Sequence, residues 1–281
     1  MRLISWNVNA RQRQLDAQVA AIAARAPDVV TLQEVTPTTV TALRAALAEA
    51  GLPHAADSFA LAPPSFQPTG PRRYGQLTAS RCELTAEAPG RFSLPWPERV
   101  LTVTLRTPGG EVEVHNTHVP PGSSNGWVKI DQLVGLYDGL ARESASPRIL
   151  CGDFNTPQAE LPTGEVVTWA QRRGRIGWRV ARAFRGRPGS TWDAGERQVL
   201  TGLAASGLPD VFRLLHGYEV VEASWVLRRG GTVSGRRFDH VFASPTLAPE
   251  RCVYVHELRE RGLSDHSPIE VDFGWPTCAA G

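Results

Sequence analysis

At 281 residues the chain is long enough for one large domain or two small ones. Its apolar fraction of 42% is ordinary for a globular protein, and a net charge of +2 does not announce a nucleic-acid binder in bulk. No apolar run spans a bilayer, and Met1-Arg2-Leu3-Ile4-Ser5-Trp6-Asn7 reads as the start of a strand, not a secretory leader. A cytoplasmic protein without membrane contact is expected, and no obligate protein partner is evident.

Residues 3–8 alternate as a strand. Leu15, Val19, Ile22, Ala23 and Ala26 then recur at helical spacing until Pro27. Residues 28–35 are a β-branched buried strand, and 38–50 an Ala-rich helix with Gly51 as its cap. Pro53, Pro63, Pro64, Pro68 and Pro71 mark 53–73 as a long surface loop. Residues 101–106 and 111–118 are alternating strands joined at Pro108-Gly109-Gly110. A helix is predicted over 127–142, a buried strand over 148–153, and a helix over 197–205 stopping at Gly207. Strands follow over 220–227, 238–244, 251–257 and 269–273. Strands in two similar sets, some linked by helices and some by hairpins, favour an α/β sandwich of two packed sheets with helices outside. One catalytic domain is expected over 1–274, with a loose tail over 275–281. Cys82, Cys151, Cys252 and Cys278 show neither close pairing nor zinc spacing, and are expected to be reduced thiols.

Six short polar clusters fall on or just after predicted strands. They are Trp6-Asn7, Gln33-Glu34, Asn116-Thr117-His118, Gly152-Asp153-Phe154-Asn155, Phe238-Asp239-His240 and Ser264-Asp265-His266. Glu34, near the end of a buried strand, is a helix-capping or salt-bridged acid, or a hard oxygen ligand for Mg²⁺. Asn7 bonds backbone or orients the metal shell. Asp153 and Asn155 either close an Asx turn at Gly152 or serve a reacting water and a phosphoryl oxygen. His266 supplies a group that titrates near neutrality. Its neighbour Asp265 points elsewhere, toward the metal, so the acid that orients His266 is sought on another strand, at Asp239. His118 is an ordinary polar histidine or a phosphate contact, and His240 is structural.

The set Trp6-Asn7-Val8-Asn9, Leu32-Gln33-Glu34, Asn116-Thr117-His118-Val119-Pro120, Gly152-Asp153-Phe154-Asn155, Arg237-Phe238-Asp239 and Ser264-Asp265-His266 resembles the endonuclease/exonuclease/phosphatase superfamily, in its order, over residues 1 to about 273. The resemblance implies a four-layer α/β sandwich of two mixed sheets flanked by helices. It implies phosphoester hydrolysis dependent on Mg²⁺ or Mn²⁺. By position Glu34 is the main metal ligand, with Asn7 and Asp265 near the metal. Asp153 activates or positions the nucleophile, Asn155 holds a phosphoryl oxygen, and His266, oriented by Asp239, contacts phosphate and shares the acid–base work. Trp6-Asn7-Val8-Asn9, and Leu208-Pro209-Asp210-Val211-Phe212-Arg213 followed by Ser224-Trp225 and Arg237-Phe238-Asp239, resemble the apurinic endonuclease branch. That branch commonly has Tyr-Val-Pro-Asn where this chain has His118-Val119-Pro120-Pro121, and the histidine is more like the deoxyribonuclease and phosphatase branches.

Arg172, Arg173, Arg175, Arg179, Arg182, Arg185 and Arg187 fall in a stretch without acids, interleaved with Trp169, Trp178 and Phe184. Arg228, Arg229, Arg236 and Arg237 form a second cluster. The stretch is a solvated helix or a polyanion groove. A metal-dependent phosphodiesterase acting on DNA is expected. The alternatives are a phosphatase or phospholipase on a small or lipid phosphoester, and a non-catalytic binding module on the same fold.

Overall fold

The computed structural model describes residues 1–63, 65–88 and 90–278. Pro64 of the proline-rich loop, residues 279–281 of the tail, and the side chains of Arg228 and Arg229 from the second arginine cluster lie outside the described residues.

Eleven strands build two mixed sheets. The first comprises β1 (Arg2–Asn7), β2 (Val29–Val35), β3 (His54–Asp57), β4 (Gly75–Ser80) and the strands Pro249–Tyr254 and Ile269–Phe273. Its order is 249–254, 269–273, β1, β2, β4, β3. The second comprises β5 (Leu84–Ala86), β6 (Val100–Thr107), β7 (Gly110–His118), β8 (Arg148–Asp153) and the strand Asp239–Ala243. Its order is 239–243, β8, β7, β6, β5. Within these sheets β1 runs parallel to β2 and β7 parallel to β8, and the other pairs are antiparallel.

Period-two alternation decides the layering. Leu3, Val29, Val103, Val114, Ile149, Val241 and Val271 face inward and form the core between the sheets. Their neighbours Ile4, Val30 and Leu32 face outward under the helices α1 (Leu15–Ala23) and α2 (Val40–Glu49), against Ile22, Leu43 and Leu47. On the other side, helices Val128–Leu140 and Gly189–Leu200 cover Leu150, Phe154 and Phe242 with Leu133, Leu136 and Trp192. The result is helices, sheet, sheet, helices, as expected. Each fully buried leucine of these layers contributes roughly 2 kcal/mol.

Toward one end, polar cross-links replace the inter-sheet core. Gln33 Nε2 donates to Asn116 Oδ1 at 2.8 Å and to Ser5 Oγ at 3.1 Å. Asn116 Nδ2 donates back to the carbonyls of Leu32 at 3.1 Å and Leu77 at 3.0 Å. These bonds fix the register of the two sheets just behind the strand ends that carry the site.

Several elements depart from the expectations. The loop over 53–73 contains β3 and a 3-10 turn, Gly70–Arg73. The helix expected over 197–205 runs Gly189–Leu200, and the strand expected over 220–227 is Trp225–Arg229. The arginine stretch is not a helix. It forms two hairpins, Gln171–Gly174 with Gly177–Val180 and Ala183–Phe184 with Arg187–Pro188. Its turns place Gly177 at φ +105° and Arg185-Gly186 at φ +50° and +78°, backbone that suits a hairpin and no helix. Cys82 and Cys278 are not reduced thiols but form a disulfide across 196 residues. Cys151 and Cys252 are buried free thiols, as expected. In the tail, Trp275 Nε1 donates to Thr107 Oγ1 at 2.9 Å, next to the disulfide tether. No helix among the described residues is long and apolar enough to cross a membrane.

Candidate active site

The topology delivers the polar clusters to one edge. Asn7 ends β1, Glu34 sits next to last on β2, His118 ends β7 and Asp153 ends β8. Asp239 opens an antiparallel strand, and His266 precedes another, so both start at the edge where the parallel strands finish. His118, Asp153 and Asp239 are side-by-side partners in the ladder.

Local backbone completes the placement. A register shift in the pairing of β2 with β4 falls between Leu32 and Val35, and Glu34 there has φ +54°. Asn155 has φ +52°. Such left-handed non-glycine residues cost on the order of 1 kcal/mol and concentrate at functional sites. Gly152, at φ +136°, brings β8 so close to β7 that a Cβ would lie 1.9 Å from the Thr117 carbonyl oxygen.

Asn7 Nδ2 donates to Glu34 Oε1 at 3.2 Å and to Asp153 Oδ2 at 2.9 Å. The backbone N–H of Asn155 donates to Asp153 Oδ1 at 2.9 Å, and its amide nitrogen donates to the Val119 carbonyl at 3.0 Å. His266 Nδ1 lies 2.7 Å from Asp239 Oδ2, and its Nε2 lies 3.8 Å from Asp153 Oδ2. Asp265 does point away from His266, accepting from Asn9 Nδ2 at 2.7 Å and Trp225 Nε1 at 3.3 Å. His240 is tied into the interior, its ring nitrogens 2.9 Å from Asp210 Oδ2 and 2.9 Å from the Thr156 carbonyl. Asp210 in turn caps the helix Val211–His216 and pairs with Arg237.

Burial raises the Glu34 carboxyl, and the Asn7 hydrogen bond only partly offsets it. Burial also pushes the Asp153 carboxyl up to about 7, against the pull of His266 and with the added repulsion of Asp239. Burial alone would lower His266, but Asp239, Asp153 and Asp265 raise it to about 10. His118 is held well below its ordinary value by burial, then by Arg99 and His266. Three carboxyls, those of Glu34, Asp153 and Asp239, thus converge in a buried site, and burial holds the first two above their ordinary range. Ligand atoms of Glu34, His118 and Asp153 lie within 4.8 Å of one another, as do those of Asp153, Asp239 and His266. Hard oxygen donors in that state fit a divalent cation.

A cavity of about 550 Å³ opens on these groups. Its lining includes the polar groups of Glu34, His118, Asp153, Asn155, Asp265 and His266, the aromatic rings of Trp169, Phe184, Trp225 and Phe238, and Arg172 and Arg185. The sequence-predicted arginines divide here. Arg172 lines the cavity, whereas Arg173, Arg175 and Arg179 on the first hairpin and Arg182 in the link to the second are exposed and do not line it.

Sequence reasoning missed three groups. Asn9 holds Asp265, and its only signal was the Trp6–Asn9 run. Lys129 donates to the Asn155 carbonyl at 2.9 Å and to Glu196 Oε1 at 2.6 Å, from a helix position that reads as surface. Arg99 bonds His118 Nδ1 at 2.6 Å, and nothing in its neighbourhood announces it.

Fold and site together define a phosphoesterase built on an α/β sandwich. The model of the Endonuclease/Exonuclease/phosphatase family matches residues 4–266, and the chain belongs to that family. None of the curated proteins matches the sequence. Among solved structures, an AP endonuclease from Archaeoglobus fulgidus is similar at 21% identity and TM-score 0.68, covering 98% of this chain and 99% of that one. The 3′ phosphatase NExo from Neisseria, bound to a product DNA hairpin, is similar at 23% identity and TM-score 0.65, covering 98% and 100%. Humanized D. rerio TDP2 is similar at 17% identity and TM-score 0.61, covering 98% of each chain. These likenesses concern the fold.

Proposed function

We propose that this protein is a divalent-metal-dependent phosphodiesterase that cleaves DNA as an endonuclease or exonuclease. The observation that carries the reading is the convergence of Glu34, Asp153 and the Asp239–His266 pair on one cavity, which Arg172 also lines. Neighbours on the fold described as an AP endonuclease and as a phosphatase bound to DNA support nucleic acid as the substrate.

In this reading Glu34 would hold Mg²⁺ or Mn²⁺, with Asn7 and Asp265 beside it. When bound, the ion would neutralise charge developing on the phosphoryl oxygens and the leaving group. Asp153 positions the attacking water and takes its proton, a task suited to a carboxyl raised toward neutrality. Asn155 fixes Asp153 and presents its amide to a phosphoryl oxygen. His266 is kept charged by Asp239 and aims Nε2 at the phosphate. Arg172 and the exposed Arg173, Arg175, Arg179 and Arg182 bind the polyanion backbone.

A small or lipid phosphoester is the second reading. It is favoured by the cavity volume of about 550 Å³, which suits a small-molecule site, and by the four arginines that stand off its walls. The test is a panel of abasic duplex, plain duplex, single strand, RNA and a small phosphodiester, with Mg²⁺, with Mn²⁺ and with chelator. Metal-dependent cleavage with a clear advantage for DNA is expected. Equal turnover of DNA and the small diester selects the second reading.

A further inference from the structure

Arg99 ends the 3-10 turn Pro97–Arg99 that leads into β6. It is 2% exposed. Its Nη1 lies 2.6 Å from His118 Nδ1, and its Nη2 donates to the Pro71 carbonyl. The rings of Tyr74 and Trp96 lie 5.6 and 5.7 Å from its guanidinium carbon. A guanidinium has hydrogens to give and no lone pair to accept with. His118 Nδ1 is therefore the accepting nitrogen, and the ring hydrogen sits on Nε2. That Nε2 is the inward one, 3.7 Å from Glu34 Oε1 and 3.7 Å from Asp153 Oδ2.

By distance alone, His118 belongs to a metal-binding set with Glu34 and Asp153. The partner on its far nitrogen argues otherwise. A histidine that ligates a metal ordinarily gives its other ring N–H to a carboxylate or carbonyl, which frees the near nitrogen's lone pair. His118 has the inverse arrangement, with a cation on the far nitrogen and the hydrogen on the near one. The second histidine of the site is wired the opposite way, since His266 Nδ1 faces the Asp239 carboxylate at 2.7 Å.

Building on the phosphodiesterase reading above, we propose that Arg99 is a positioning residue. It fixes His118 as the Nε2–H tautomer, a neutral hydrogen-bond donor to a phosphoryl oxygen that takes no part in metal ligation. The two histidines then divide the work. His266 brings charge through its acid partner, and His118 brings a directed hydrogen bond through its basic one.

The test reads the tautomer directly. Long-range proton–nitrogen correlation spectra of the ¹⁵N-labelled, metal-free protein show which ring nitrogen of His118 bears hydrogen, with His118→Gln used for assignment. Hydrogen on Nε2 is expected, before and after saturation with Mg²⁺. Hydrogen on Nδ1, or loss of the Nε2 hydrogen when Mg²⁺ is added, overturns the proposal. Arg99→Lys, which keeps a donor, should hold the Nε2–H form, and Arg99→Met should release a mixture of tautomers. A pure Nε2–H form in Arg99→Met removes Arg99 from the role. If that variant does not fold, the Arg99→Lys and parent spectra still decide. In hydrolysis, His118→Gln places an amide N–H near the Nε2 position and should exceed His118→Ala by at least about tenfold, the worth of one good hydrogen bond to a charged group. Equal losses overturn the donor role. Should the parent protein hydrolyse no phosphodiester, the functional reading fails while the spectra still judge the tautomer.

Discussion

Asp239 and His266 meet at 2.7 Å across 27 residues of sequence, with Asp239 Oδ2 on His266 Nδ1. The pair faces Asp153 and not the neighbouring Asp265, so the adjacent acid in the Asp265-His266 dipeptide is not the one that orients the ring.

Asp239→Asn should cost nearly as much activity as His266→Ala, and the double variant should be little worse than either. Groups that act as one unit are strongly non-additive. Measuring kcat/KM for the four proteins checks this. Additive losses would mean that the two side chains work independently.

Glu34→Gln should lower activity by roughly two orders of magnitude or more, the scale of one strong electrostatic contact to a transition state. In the metal-free protein it should not lower stability, because burial already disfavours the Glu34 carboxylate. Calorimetric titration with Mg²⁺ and thermal unfolding of both proteins check the two halves. Near-normal turnover at saturating Mg²⁺ removes Glu34 from the metal.

Changing Arg175, Arg179 and Arg182 together to Gln should weaken DNA cleavage and flatten its salt dependence, each lost phosphate contact lowering the slope of log affinity against log salt by about 0.9. Small-diester hydrolysis should hardly change, since these side chains are exposed and the cavity is lined by Arg172 and Arg185 instead. An unchanged salt slope on duplex DNA would show that the hairpins carry solvated charge only.

Acid stability should hinge on Glu160. Its carboxylate bonds Arg213 Nη2 at 2.7 Å and Arg237 Nη2 at 2.6 Å. Burial by itself would raise its pKa, but the two arginines hold it down to about 2. A depressed folded pKa stabilises the fold above the unfolded value and loses that contribution as pH falls through the folded one. Glu160→Gln should therefore cost roughly 3 kcal/mol at neutral pH. The difference from the parent should shrink between about pH 4.5 and 2, in step with that carboxyl's protonation. Denaturant unfolding across that range is the check, and a constant difference would rule the linkage out.

Reduction of Cys82–Cys278, or Cys278→Ser, should lower stability by about 2–5 kcal/mol. The bond constrains the unfolded chain across 196 residues. Thermal unfolding with and without reductant measures it, and identical midpoints would show that the link contributes nothing.

The sequence by itself determined the layering and the site's membership in large part. Alternation at Leu3-Ile4 and Val29-Val30 is a local property, and period two sends the members of each pair to opposite faces. The polar clusters were legible for the same reason, because an acid, amide or imidazole that closes an apolar run stands out without knowledge of its partner. Only the tertiary structure decided who meets whom. Arg99 finds His118, Asn9 finds Asp265 and Cys82 finds Cys278 through strand order and register, which no local spacing encodes. The arginine stretch shows the same limit: charge repeats alone did not distinguish a helix from hairpins, and the turns at Gly177 and Gly186 settled it. Composition states which groups are available, and closure of the two sheets fixes which hydrogen each one gives.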